Sequence, residues 1–398
     1  MRIDFFSKVF LFLLNYFLFF LPLSLVFAQT TYIPHRKISA KLLEKDFEIF
    51  HQILEEYHPS LFTYLNENEW VVLKNKVKKE IETPKTEWEF YRLLANMTAQ
   101  IRCEHTVLRI SQNSYQYLTQ QSEGLFPFEV KIIEGKLYIF RNLSDVPIIE
   151  GAEIVRINNE DTQSIISFLS QHVSADGMVE LSKWYELSTY FSMFYAVLKG
   201  EKESFKIQFK DSEINELREY IVQGISYNIF QERKWKRYPE YYLSKKQKKE
   251  LAKGVSILRL KDFEEKREWK KFFKYLSVNQ IDKLIIDLRS NKGGLSDEAK
   301  KLLQFLIPSE INEPFLFLAK NQEISFDSLV HINSLQKKYS YKFIKKSFLL
   351  SDSLEAKRKQ EKLKPHKYSF RGKLAILVNG NTSSAAVQVA ATLHHRLW

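Results

Sequence analysis

Two short stretches carry residues whose types and spacing suit one reaction. "NGNTSSAAVQ", residues 379 to 388, reads as a tight turn at Asn379-Gly380 followed by Ser383 and Ser384 at the start of a helix. A serine at a helix start often does no more than cap it, accepting a backbone amide of the first turn. The same place suits a nucleophile, because unpaired backbone N–H groups and the positive end of the helix dipole face it. If such a hydroxyl attacked a carbonyl, the oxyanion would be held by the amide after the nucleophile and by an amide of a glycine loop. "DLRSNKGG", residues 287 to 294, offers that loop, since Gly293 and Gly294 permit backbone shapes and close approach that side chains forbid. This is acyl-transfer chemistry without the G-x-S-x-G pattern of the α/β hydrolases. "IRCEHTVLRIS", residues 101 to 111, adds His105 where a helix gives way to residues that favour extended structure. A histidine there is either a structural cap or a group able to titrate near neutral pH.

The elements that would present these loops follow Gly254. "VSILRLKDF", "KLIIDL" and "KLAILVNG" read as buried strands. "KREWKKFFKYL" and "SDEAKKLLQFLI" read as helices, the second with Ser296 as N-cap and acids in its first turn. Continuous apolar strands alternating with helices predict an α/β core with a mostly parallel sheet. Both loops leave the carboxyl ends of strands, where such sheets place their sites. Residues 309 to 370 interrupt the pattern as an insertion ending in a lysine-rich run.

Upstream, apolar residues recur at helical spacing. One face is Leu43, Phe47, Phe50, Leu54 and Tyr57, ended by Pro59; a second is Trp70, Leu73, Val77 and Ile81, ended by Pro84. A third, Phe90, Leu93, Met97 and Ile101, follows a capping box of Thr86 and Glu89. "GLFPFEVKIIEGKLYIFRNL" then alternates as a hairpin turning at Glu134-Gly135, and strand, turn and helix follow it. That order resembles a PDZ domain, most clearly in "GAEIVRINNED", Gly151 to Asp161. A PDZ domain takes a peptide as an added strand on a sheet edge; the plainer alternative is a β-rich insert without a ligand. "KWYELSTYFSMFYAVLKG" reads as helix and "ESFKIQFKD" as strand. "ERKWKRYPEYYLSKKQKKE" is basic with interleaved aromatics and reads as a solvated linker or substrate-facing rim.

The chain has 398 residues, 44% hydrophobic and 27% charged, an ordinary globular balance with room for two or three domains. Its net charge of +12 reads as a lysine-rich surface, because no nucleic-acid recognition motif accompanies it; no nucleic-acid partner is expected. Arg2 and Lys8 precede an almost wholly apolar run, and small residues at Val26 to Ala28 precede Gln29. This is a secretory signal peptide pattern. It predicts an exported protein, periplasmic or extracellular, held at a membrane only if the segment stays uncleaved as an anchor. Cys103 is the only cysteine, which excludes an internal disulfide. Nine histidines include His394-His395, but no cysteine or acid cluster with ligand spacing accompanies them. No metal, nucleotide loop or cofactor is expected.

The ordered motifs "VSILRLKDF", "LIIDLRSNKGG" and "GKLAILVNGNTSSAA" resemble the core of the tail-specific (C-terminal-processing) and tricorn-like serine peptidases. "EEYHPSLF" and "IRCEHT" resemble the N-terminal part of bacterial members. The resemblance implies an α/β chain of α+β multi-domain type. Its parts would be a signal peptide (1–28), a helical domain (29–115), a PDZ-like β-rich domain (116–180), and a linker with the start of the catalytic region (181–252). The last, 253–398, would be a crotonase-like α/β catalytic core. Position by position, the resemblance implies that Ser384 is the nucleophile, with Thr382 and Ser383 before it. The Ala385 amide and that of Gly293 or Gly294 would form the oxyanion hole, shaped by Asp287, Arg289 and Asn291. His105 matches the general base of tricorn-like members.

Val387 stands where the family often has an acid, and Glu104 where a small residue often precedes the histidine. Tail-specific members use a lysine, and tricorn-like members a glutamate, well beyond the serine; this sequence ends at Trp398. The resemblance therefore implies a catalytic core cut short, with weak or no activity. The expected function is an exported serine peptidase that hydrolyses peptide bonds through an acyl-enzyme on Ser384, its partners being peptides or proteins. A peptide-binding protein that does not cut, and a non-functional fragment, stand as alternatives.

Overall fold

The spacing of apolar residues upstream is that of helices, and helices form. In the computed structural model, which describes residues 34–211, 216–237, 255–264, 267–312, 318–319, 348–349 and 362–397, α1 spans Ala40–Tyr57, α2 Glu67–Glu80 and α3 Glu87–Ala99. α1 stops before Pro59, since the residue before a proline is driven out of the helical region. His58 caps it, its N–H donating to Leu54 O. The capping box of Thr86 and Glu89 is present, and α2 has its own, Asn66 with Glu69. Leu43, Phe47, Trp70, Phe90, Leu94 and Met97 form the core between the helices. Burying each such side chain contributes about 1.5–3 kcal/mol. A short antiparallel pair, β1 (Lys37–Ile38) with β2 (Lys85–Thr86), closes this part.

Residues 102 to 110, among them Thr106, Val107, Leu108 and Ile110, which favour extended structure, join no ladder. Their backbone is satisfied by a loop instead, as buried polar groups require. Gly177 N–H donates to Arg102 O at 3.0 Å, Glu104 N–H to Asp176 Oδ1 at 2.8 Å, and Ser174 Oγ to Thr106 O at 2.8 Å. α4 (Gln112–Gln120) follows.

An antiparallel sheet comes next. Its strands are β3 (Phe128–Ile133), β4 (Lys136–Asn142), β5 (Glu153–Ile157), β7 (Ser204–Lys210) and β8 (Leu217–Gln223), in that order, with β6 (Glu160–Asp161) on β5. The expected hairpin turns at Glu134 and Gly135, both with positive φ (50° and 74°), the pair of left-handed residues that matches strand twist. α5 (Thr162–Ser170) and α6 (Glu180–Lys199) pack on this sheet. Ile132 N–H donates to Ser188 Oγ, and Ser192 Oγ donates to Phe126 O. Phe126 meets Phe128, Phe191 and Phe205 with ring centroids 5.1–5.2 Å apart. The sheet does not stop near residue 180. β7 pairs with β5 and β8 with β7, so the stretch read as linker supplies two of its strands. α7 (Tyr227–Arg237) is the last described element of this first unit.

The second unit is built on a parallel sheet. β9 (Ser256–Arg259) and β10 (Lys283–Asp287) flank α8 (Trp269–Val278), and α9 (Ser296–Gln304) follows. The expected insertion contributes β11 (Ile311–Asn312) antiparallel to β14 (Lys362–Leu363), and β12 (Leu318–Ala319) parallel to β13 (Phe348–Leu349). β15 (Lys373–Leu377) then pairs with β10, giving the order β15-β10-β9, and α10 (Ala385–Leu397) follows it. Leu260, Phe263, Phe273, Ile286, Leu288, Leu302, Val389 and Leu393 are buried together. Of the three strands read as buried, β10 alone is, because it lies between the other two; Ile257 of β9 is 53% exposed. Ser296 does not cap α9 either. Leu295 holds that place without a side-chain bond, and Ser296 is the first helical residue. Asp297 and Glu298 do occupy the first turn. No described helix is long and apolar enough to cross a membrane. The expected signal segment, and most of the basic aromatic stretch after α7, lie outside the described residues.

Candidate active site

The parallel register ends β10 and β15 side by side, with Asp287 opposite Leu377, so the loops that leave them are neighbours. They are tied by side chains. Asn379 Oδ1 accepts from Ser290 N–H (2.9 Å), and Thr382 Oγ1 donates to Leu288 O (2.9 Å) while accepting from Asn379 N–H (3.0 Å). Ser383 N–H donates to Asn291 O at 2.9 Å. Asn291 is fully buried, and its amide spans the loop: Nδ2 donates to Leu260 O (3.1 Å), and Oδ1 accepts from Gly293 N–H (2.8 Å). Asp287, nearly buried at the strand end, takes Arg289 Nε and a terminal guanidinium nitrogen, both at 2.9 Å. That guanidinium, against some opposition from burial, holds the Asp287 carboxyl below the usual aspartate range.

Ser384 stands between β15 and α10, partly exposed, with φ of +54°. Its carbonyl accepts the first helical bond, from Gln388 N–H at 3.1 Å. A capping serine normally holds an extended backbone and bonds back with its hydroxyl. Ser384 has a left-handed backbone instead, and among the described residues its hydroxyl meets no hydrogen-bond partner. For a residue with a Cβ that conformation costs roughly 1–2 kcal/mol, and strain of this kind collects at reactive positions. Gly293, with φ of +94°, lies directly opposite: a Cβ there would be 2.9 Å from the Ala385 nitrogen and 3.1 Å from Ser384 Oγ. The space beside the hydroxyl exists because position 293 has no side chain. Of the two loop amides considered as oxyanion donors, that of Gly293 is already given to Asn291. Among the described residues the amides of Gly294 and Ala385 have no partner. Gly294, with φ of +131°, is itself fixed by a parallel bridge to Phe263.

His105 belongs to the first unit and is exposed. Its neighbours there are Cys103 and Asp176, with one ligand-type atom of each residue within 4.8 Å of those of the others. Hydrogen bonding to Cys103 raises the His105 pKa above its ordinary value, over the opposing effect of desolvation. Burial alone would push the Cys103 thiol up, but the neighbouring His105, His58 and Thr106 outweigh it and bring it down to about 5.

With this geometry in view, comparison with known proteins is informative. Residues 254–398 match the model of peptidase family S41. That segment belongs to peptidase family S41. It holds Ser384, Ala385, Gly293, Gly294, Asp287, Arg289 and Asn291, which the fold gathers around two adjacent loops. The fold of the chain is similar to that of mature CPAF, at a TM-score of 0.56 and 14% identity, over 90% of this chain and 82% of that one. Mature CPAF complexed with lactacystin matches at 0.55 and 13%, over 90% and 83%. The photosystem II D1 C-terminal processing protease matches at 12% identity over 90% and 79%, with a TM-score of 0.34, too low to support an argument. No curated protein matches the sequence.

A serine-type peptidase of family S41 accounts for the strained serine, its open flank and the unpartnered amides together. No metal-ligand spacing is read in the sequence, but the fold brings Cys103, His105 and Asp176 together as a group of ligand-type side chains. Reading along the sequence missed it because Asp176 reaches Cys103 only through the fold. The one local signal was the C-x-H spacing of Cys103 and His105.

Proposed function

We propose that the protein is an exported serine peptidase, hydrolysing peptide bonds of peptides or proteins through an acyl-enzyme on Ser384. The observation that carries this reading is Ser384 itself: a left-handed serine between strand and helix, within a family S41 segment, facing a gap left by Gly293. In the proposed reaction Ser384 Oγ attacks the scissile carbonyl, and the Ala385 and Gly294 amides receive the oxyanion. Asn291 holds the Gly293 amide and leaves the next one to the substrate. His105 is proposed as general base on the resemblance of "EHT" to tricorn-like members; it would take the serine proton and return it to the leaving amine. The sheet of the first unit, with α5 beside it, is read as PDZ-like and would offer a strand edge to a peptide terminus. The second unit is read as crotonase-like. Export is proposed from the apolar segment before Gln29.

The test is labelling of the full chain with a serine-directed fluorophosphonate. Weak labelling that disappears in Ser384→Ala and falls further in His105→Gln is the expected result; robust labelling lost in Ser384→Ala would keep the nucleophile and overturn the expectation of weak activity. A folded chain that resists the reagent, or keeps its label in Ser384→Ala, would overturn the nucleophile assignment. Binding of C-terminal peptides without cleavage would then favour a protein that captures peptides and does not cut them.

A further inference from the structure

Around His105, near the end of α3, the chain gathers a thiol and a carboxylate that acyl transfer does not require. Cys103, His105 and Asp176 bring a thiol sulfur, an imidazole nitrogen and a carboxylate oxygen within 4.8 Å of one another. His58, at the end of α1, lies beside this group of three. Its ring neighbours the Cys103 sulfur. It is 6% exposed, its Nδ1 accepts from Ser60 N–H at 3.2 Å, and its Nε2 is buried without a hydrogen-bond partner. A buried imidazole nitrogen left unpaired costs roughly 1–3 kcal/mol, and a ligand would remove that cost.

We propose that Cys103, His105 and Asp176, with His58 as the fourth donor, bind a borderline-soft divalent cation of the zinc type. The donor set mixes sulfur, nitrogen and oxygen, which suits zinc and not the oxygen-seeking magnesium or calcium. A tetrahedral ion with bonds of ~2.0–2.3 Å places its donor atoms roughly 3.3–3.8 Å apart. The Cys103, His105 and Asp176 atoms, within 4.8 Å of one another, therefore need to close by about 1–1.5 Å at most, within reach of side-chain rotation. The backbone is already set for this. Glu104 N–H holds Asp176 Oδ1, which orients the carboxylate. The bonds from Gly177 to Arg102 and from Ser174 to Thr106 hold the two loops together. Resting on the assignment of His105 as base, one consequence follows for the peptidase: a bound ion occupies the imidazole lone pair that would accept the serine proton, and so inhibits.

Cobalt(II) titration of the chelator-stripped full chain tests the site without reference to activity. Cys103 is the only thiol, so a thiolate-to-cobalt charge-transfer band can arise nowhere else. The expected result is one equivalent of cobalt with that band and intense tetrahedral visible bands. Cys103→Ser should lose the charge-transfer band, and Asp176→Asn and His58→Gln should each weaken binding by at least about tenfold. Each variant should keep a cooperative thermal transition. Absence of the band, or equal affinity in Cys103→Ser, for instance through His394-His395, would overturn the proposal. Should the band appear while zinc leaves Ser384 labelling unchanged, the metal site stands and the assignment of His105 as base fails.

Discussion

Gly293 lies so close to Ser384 that a Cβ added to the glycine would sit 2.7 Å from the serine Cβ. Atoms of that kind do not approach to such a distance, so the serine loop and the glycine loop fit together only while position 293 is glycine. Its φ of +94° adds a second demand of the same sort. Gly293→Ala should push Ser384 and the Ala385 amide away from each other. The expected outcome is fluorophosphonate labelling reduced at least tenfold, with a stability loss on the order of 1–3 kcal/mol. Near-normal labelling in a folded Gly293→Ala protein would show that the cleft tolerates a methyl group.

The left-handed backbone of Ser384 can be tested apart from its hydroxyl. Ser384→Gly and Ser384→Ala both remove the nucleophile, and neither should label. Only glycine relieves the strain at φ of +54°. Against that gain of roughly 1–2 kcal/mol stands glycine's larger entropy in the unfolded chain, about 0.5–1 kcal/mol. The glycine variant should therefore melt above the alanine variant, by an amount near 1 kcal/mol of stability. A higher melting temperature for Ser384→Ala would mean that the serine does not hold this conformation in solution.

Both loops and the elements that carry them were legible because their signals are local. Asn379-Gly380 and Gly293-Gly294 announce turns, apolar runs announce strands, and Thr86 with Glu89 announces a helix start. What escaped depends on neighbours distant in sequence. β7 and β8 join the earlier sheet through pairing with β5, which no composition shift near residue 180 reveals. Ile257 faces solvent because β9 has a single described strand beside it, whereas an apolar run looks the same at an edge as in a centre. Ser384 could be named as a nucleophile from its motif, but its left-handed backbone could not. Residues with a Cβ seldom adopt it, and only the contact with Gly293 and the tied loops make room for it.

Acid should release one part of the site's stability. The Arg289 guanidinium lowers the folded-state pKa of Asp287 beneath its unfolded value. The unfolded chain then binds this proton first as pH falls. The contribution is complete above the ordinary aspartate value of about 4 and is lost as pH drops through the lower, folded one. The stability gap between the wild type and Asp287→Asn should hold steady from neutral pH to about pH 4 and narrow below it. Chemical denaturation of both proteins across that range measures the gap. A gap that widens in acid would contradict the ion pair.

Asn291 gives the sharpest separation between holding the site and taking part in it. It is fully buried, meets no reacting atom in the proposed chemistry, and bridges Leu260 O and Gly293 N–H with its side chain. Asn291→Ala leaves a buried acceptor and a buried donor without partners, at about 1–3 kcal/mol each. A total loss of roughly 2–6 kcal/mol is expected if both stay dry. Asn291→Asp keeps an acceptor for Gly293 but sets an oxygen against Leu260 O and buries a charge, so it should be no milder. The freed Gly293 amide can also turn toward the substrate side, which changes the donors around the oxyanion. Labelling of the folded fraction should therefore fall in Asn291→Ala beyond what unfolding explains. Rate constants for fluorophosphonate labelling, set against the folded fraction at the same temperature, decide this. Equal rates per folded molecule would reduce Asn291 to a stabilising residue alone.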